Sequence, residues 1–120
     1  MDPDPVRAIE ELADRRGRFR PDAYFFVLRA LEYARRRLQR SGHVSGRELA
    51  EGARDLALEE FGPMAFDVFR HWRLSGTIDL GRIVYDLIEA DLLRKTDEDS
   101  LEDFADVYDF REAFEQGYRW

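Results

Sequence analysis

The chain has no cysteine, one lysine (Lys95) and two histidines (His43 and His71) among its 120 residues. The first absence excludes a disulfide framework, a thiol nucleophile and cysteine-ligated zinc. Neither histidine stands in an HExxH pattern, so a zinc centre would need both of them plus carboxylates from distant segments. Glycine-rich loops are missing too: there is no GxGxxG and no GxxxxGK[ST], and Lys95-Thr96 follows no glycine turn. A P-loop nucleotide site is thereby excluded. No GxSxG elbow occurs, and Ser75-Gly76 reads as a helix stop rather than as a catalytic serine. No apolar run approaches the about 18–20 residues of a membrane span, and the charged N-terminus has no secretory apolar region. A cytoplasmic protein with no membrane segment is the expectation.

Enough apolar residues are present to close a core. They make up 44% of the chain, with 13% aromatics, while 38% is charged. No linker or repeat divides the sequence, so residues 1–120 read as a single domain, frayed at Met1–Pro5 and with an acidic loop over 96–106.

Helical periodicity dominates. A short helix over about Val6–Asp14 would bury Ile9, Leu12 and Ala13. Pro21 suits a first turn, and Tyr24, Val27, Leu28, Leu31, Ala34 and Leu38 recur at three- and four-residue steps through about Arg40. Glu32 precedes Arg36 by one turn, the favourable order for a helical ion pair. Ser45-Gly46-Arg47-Glu48 is a capping box that opens a helix to about Phe61, closed by Gly62 and Pro63. Pro63 opens a further helix with Met64, Val68, Phe69 and Trp72 inward. Thr77 or Asp79 caps the next, in which Leu80, Ile83, Val84, Leu87 and Ile88 keep helical spacing.

After Asp91 the pattern changes. Leu92–Thr96 and Ala105–Phe110 read as two short strands joined by the acidic loop, and Arg111–Gln116 as a last helical turn. The expected fold is mainly α, five to six helices with a small C-terminal β-hairpin, in a winged-helix-like order. A plain α-helical bundle with a decorated C-terminus fits the same pattern.

The segments Ala23–Leu28, His43–Leu49 and Phe61–Ala65, together with Leu92 through Lys95-Thr96, Glu98–Ser100 and Glu102–Phe104 to Asp106–Phe110, resemble an uncharacterised bacterial family of conserved hypothetical proteins. That family is met chiefly in planctomycetes and verrucomicrobia, and the resemblance covers most of residues 20–116. It implies a bacterial, intracellular protein of unknown function and transfers no catalytic residue.

Few residues are candidates for chemistry. His71, beside Trp72, reads as a partly buried structural histidine, and His43 as a support for the turn before the capping box. Asp97, Asp99 and Asp103 fall at positions 1, 3 and 7 of an EF-hand numbering, but Leu101, Glu102 and Tyr108 occupy positions 5, 6 and 12. That departure rejects an EF-hand. Glu102 and Asp103 form a carboxylate pair that would need burial to separate their pKa values, so a solvated charged loop is the reading. No catalytic, cofactor-binding or metal residue is assigned, and no cofactor is expected.

Charge is unevenly spread. Residues 1–50 hold 11 basic and 8 acidic side chains, a net +3, and residues 51–120 hold 8 and 18, a net −10. A DNA-reading winged helix needs cations on its recognition helix and wing. Here that helix carries Asp79, Asp86, Glu89 and Asp91 against Arg82, and the loop beyond it is acidic. Nucleic acid is therefore disfavoured in that geometry. Arg15, Arg16, Arg18, Arg20, Arg35, Arg36, Arg37 and Arg40 could instead form a basic patch, or pair with the acidic half of this chain or of a second copy. Phe104, Tyr108, Phe110, Phe114, Tyr118 and Trp120 either staple the C-terminus to the core or form an exposed anchor for a partner. The leading expectation is a non-enzymatic protein-interaction or assembly domain that binds a protein partner or a homodimer mate. The alternatives are a nucleic-acid-associated winged-helix relative using the arginine-rich half, and an enzyme using His43 or His71 with carboxylates.

Overall fold

Asp4 and Pro5 start the first helix. The Asp4 carboxylate accepts the Val6 N–H at 3.0 Å, and Pro5 occupies a first-turn position where its missing N–H leaves nothing unsatisfied. Helix α1 (Pro5–Arg16) runs in this computed structural model, which describes residues 4–94 and 100–116, to Gly17 at φ 64°. There the left-handed backbone lets the Gly17 N–H bond to the Ala13 carbonyl. Ile9, Leu12 and Ala13 form its buried stripe, as their spacing requires.

Helix α2 (Pro21–Leu38) is the centre of the molecule. Ala23, Tyr24, Phe26, Val27, Ala30 and Ala34 are buried on it, whereas Leu38, expected on the same face, is exposed in its last turn. Small residues on this face let α3 (Gly46–Phe61) approach closely: a Cβ on Gly52 would stand 3.0 Å from the Ala34 Cβ. The Ser45 capping box forms in full, with Glu48 N–H donating to Ser45 Oγ and Ser45 N–H to the Glu48 carboxylate.

Gly62 ends α3 with a positive φ of 52° but a ψ of −129°, outside the left-handed helical region. A 3-10 turn, Gly62–Met64, then leads into α4 (Ala65–His71), and α5 (Thr77–Glu89) follows. The N-cap of α5 is Gly76 rather than Thr77 or Asp79. Asp79 instead reaches back to accept the Ser75 N–H and hydroxyl at 2.8 and 2.9 Å.

The C-terminal segment corrects the expected fold. No strand occurs among the described residues, so neither the hairpin nor the winged-helix-like arrangement is present. The N–H groups of Leu92 and Leu93 both turn back to the Leu87 carbonyl, with Asp91 at φ 64°, so α5 ends there in a helix stop. Leu101–Phe104 is a 3-10 turn. Asp106 at φ 50° breaks the extended path of the second expected strand, and the Val107 N–H bonds to the Thr77 hydroxyl instead of to a neighbouring strand. The apolar residues here include single anchors, Phe104 and Phe110, buried in a helical core. Residues 96–99 of the acidic loop lie outside the described residues.

Those anchors are aromatic. Phe104, Phe110 and Phe114 are all buried, and Phe69 meets Phe26, Trp72, Phe110 and Phe114 at centroid distances of 5.5, 6.0, 5.1 and 4.9 Å. A wide π-helical turn, Glu112–Gln116, carries Phe114 into this cluster. Thr77 clamps the segment, donating its hydroxyl to the Phe104 carbonyl at 2.6 Å and accepting from Val107 N–H at 3.1 Å. The aromatic residues up to Phe114 are thus mostly staples; Tyr118 and Trp120 lie outside the described residues.

Candidate functional site

Beneath that clamp, the ring of Phe104 is seated between two glycines. A Cβ on Gly81 of α5 would fall 2.6 Å from its Cδ2, and one on Gly46 of α3 would fall 3.0 Å from its Cε2. Only residues without a side chain let a phenyl ring pack onto both helices here. One side of the seated ring lines a concave pocket of about 610 Å³. This is within the about 300–1,000 Å³ of small-ligand sites.

Helices α2, α3 and α5, the turn before α3 and the chain after α5 all contribute to the pocket. Its apolar lining includes Val27, Leu31, Leu49, Val84, Leu93 and Phe104. Its polar lining among the described residues is Arg35, His43, Tyr85, Asp91 and Arg94. A somewhat larger hollow of about 690 Å³ lies beside Tyr108, but it is lined by Arg54, Asp109 and Glu112 as well as a few apolar groups. The Tyr108 hydroxyl there already donates to the Ala50 carbonyl at 2.6 Å. Burial raises the Tyr108 pKa above its ordinary value, so that hydroxyl is a poor proton donor to anything else.

Arg35 enters the pocket with its fork partly used. Its Nε donates to the Gly42 carbonyl at 3.1 Å and one terminal nitrogen to Glu32 at 2.8 Å, leaving the second terminal nitrogen without a protein partner among the described residues. The expected Glu32–Arg36 pair is replaced by this Glu32–Arg35 contact. Arg94 is exposed and has no carboxylate partner among the described residues.

The other arginines behave differently. Arg29 pairs with Glu60, Arg37 with Asp55 and Arg40 with Glu48, each bridging α2, or the turn after it, to α3 at 3.3, 3.0 and 2.7 Å. Ser45 N–H and the Arg40 guanidinium together hold the Glu48 carboxyl below its ordinary pKa. Arg16 binds both Glu89 and Asp86, and Asp86 also accepts the buried Tyr24 hydroxyl at 2.7 Å. Burial, reinforced by Asp86, raises the Tyr24 pKa above its ordinary value. Asp79 and Asp86, counted above as repelling charge, are therefore structural: Asp79 also takes an Arg82 guanidinium at 2.7 Å.

Arg15, Arg18, Arg20 and Arg36 make no ion pair among the described residues. Arg20 and Arg36 stand sixteen residues apart on or beside α2, a separation of about 24 Å at 1.5 Å per residue. They do not make one basic patch.

Of the histidines, His43 lines the pocket together with Asp91, whereas His71 is exposed at the end of α4 and does not line it. Its expected partial burial is not found, because the buried position at that helix end belongs to the adjacent Trp72. Glu102 and Asp103 are exposed, and Asp103 is engaged in a local cap, accepting the Ser100 N–H at 3.1 Å. Asp97 and Asp99 lie outside the described residues. Among the described residues no group of three or more His, Asp and Glu side chains is placed to hold a metal ion. No described helix is long and apolar enough to cross a membrane.

Sequence reasoning missed Arg94, Tyr85 and the pocket itself. Leu31 and Val84 carried a signal, since both belong to apolar stripes, but periodicity does not separate a side chain facing the core from one facing a hollow beside it. No family model, no curated protein and no solved structure matches the chain.

Proposed function

We propose that this chain is a non-enzymatic protein-interaction domain that captures a short apolar segment of a partner protein in the pocket between α2, α3 and α5. The observation that carries this reading is the pocket: about 610 Å³, with apolar side chains of α2, α3 and α5 beside a nearly equal polar lining. Elsewhere among the described residues the large apolar groups are buried or partly buried against the core, and the exposed ones, Val6, Leu38, Met64 and Leu101, are scattered along the chain. Of the expected aromatic anchor patch, Phe104, Phe110 and Phe114 are used inside. The family resemblance assigns no residue to any activity and favours neither this reading nor its rivals.

Peptide display against the immobilised protein tests the proposal. Counter-selection uses Val84→Trp, which fills the pocket from its wall, and His43→Trp, which fills it from an exposed position and leaves the core untouched. Peptides enriched for apolar residues on the wild-type protein and lost on both variants are expected. No enrichment, or enrichment that both variants retain, contradicts it.

One observation favours a second reading, an enzyme: His43 and Asp91 line the same pocket. A general base at His43 would make turnover vanish in His43→Asn while peptide capture persisted. The nucleic-acid reading has less behind it, because Arg29, Arg37 and Arg40 are paired to α3 carboxylates and Arg36 stands far from Arg20.

A further inference from the structure

Among the described residues, arginines outnumber carboxylates at the pocket. The protein has a net charge of −7, yet the described residues at the pocket include two arginines, Arg35 and Arg94, against the single carboxylate of Asp91. Most arginines that border acidic groups have been neutralised by them, as Arg16, Arg29, Arg37 and Arg40 show. Arg94 has no carboxylate partner among the described residues, and Arg35, paired with Glu32, keeps one terminal nitrogen without a protein partner among them. Two guanidinium groups at the edge of an apolar hollow match a carboxylate, whose two oxygens each accept from a separate donor.

We infer that the segment captured in this pocket is a protein C-terminus, with the last, apolar side chain among Leu31, Leu49 and Val84 and its free α-carboxylate held by Arg94 and Arg35. This rests on the reading of the pocket as a capture site. A C-terminal residue is the one peptide unit that carries an apolar side chain and a carboxylate on the same Cα, which is the pairing that the pocket offers. An internal Asp or Glu places its carboxylate on a different residue from the apolar side chain and runs chain past the pocket on both sides. The arrangement is recognition of a chain end by charge and apolar burial together.

Fluorescence anisotropy with the full chain tests this directly. The probes are fluorescein-labelled Gly-Ser-Gly-Ser peptides ending in Leu, Ile or Phe, each made as the free acid, as the C-terminal amide, and with two further glycines after the apolar residue. The free acid is expected to bind, with amidation or extension weakening it at least about tenfold, a change of about 1.4 kcal/mol. Arg94→Glu is expected to abolish the difference between acid and amide, and Arg94→Lys to restore part of it, since a lysine keeps the charge but not the fork. Arg94 is exposed, so both variants keep the fold, and unchanged thermal midpoints verify it. Equal binding of acid and amide overturns the inference while leaving the pocket as a capture site. So does failure of every probe when display-selected internal peptides still bind in the pocket. Failure of these probes and of all selected peptides overturns both.

Discussion

The ring of Phe104 lies directly on the backbone of Gly81, where an added Cβ would come within 2.6 Å of the ring. Gly46 confines the same ring from α3, where an added Cβ would stand 3.0 Å from its Cε2. Gly81→Ala is therefore expected to destabilise the protein by about 1–3 kcal/mol, the usual cost of overpacking. Gly42→Ala, where nothing lies within 4 Å, should stay within about 0.5 kcal/mol of the parent. Urea unfolding of the two variants checks the contrast, and equal midpoints would remove the glycine seat from the account.

Thr77 holds the C-terminal segment by both capacities of its hydroxyl. Thr77→Val keeps the shape and removes both bonds, leaving the Phe104 carbonyl and the Val107 N–H without this partner. A loss of about 1–3 kcal/mol is expected for such buried groups. Hydrogen exchange at the Val107 amide should accelerate well before exchange at the α2 core amides. Unchanged protection at Val107 would mean that the clamp is not what orders this segment.

Tyr24 and Tyr108 both have pKa values raised above the ordinary 10.0, chiefly by burial. A group whose folded pKa is raised gives stability that is complete below its unfolded pKa and is lost as pH climbs toward the folded one. Stability should therefore hold up to about pH 10, the unfolded tyrosine value, and fall above it. Tyrosinate absorbance from these two residues is expected to appear only with unfolding. A single early titration of all tyrosines with the fold intact would contradict their burial. Tyr108→Phe and Tyr24→Phe should each reduce the alkaline loss.

The pairing of Arg29, Arg37 and Arg40 with α3 carboxylates predicts poor retention of nucleic acid. At about 50 mM salt, where phosphate binding is favoured, mixed-sequence DNA and RNA should elute with the unretained fraction. Retention that falls linearly with the logarithm of salt would instead reveal a phosphate-binding face.

Much of the helical part was legible because each boundary is written in local chemistry. Asp4-Pro5, Pro21, the Ser45–Glu48 box and Gly62-Pro63 each satisfy or remove an orphan backbone group at a helix end, and each marks a boundary close to where it was expected. Leu92–Phe110 was not legible for the opposite reason. Its apolar residues are anchors for distant partners, and what decides their conformation is Gly46, Gly81 and Thr77, tens of residues away. The pocket was hidden more deeply: Leu31 and Val84 read as core, and Arg94 as an ordinary charge before an acidic stretch. Their convergence depends on how α2, α3 and α5 pack, which no local pattern records.

Amide chemical-shift mapping with the tightest display-selected peptide tests the central claim most directly. Capture in the pocket predicts saturable shifts centred on Leu31, Val44, Val84 and Leu93, with α1 and the Phe69 cluster silent and no shifts in the His43→Trp variant. Shifts centred on another face, or a selected peptide that binds without perturbing these amides, would contradict it.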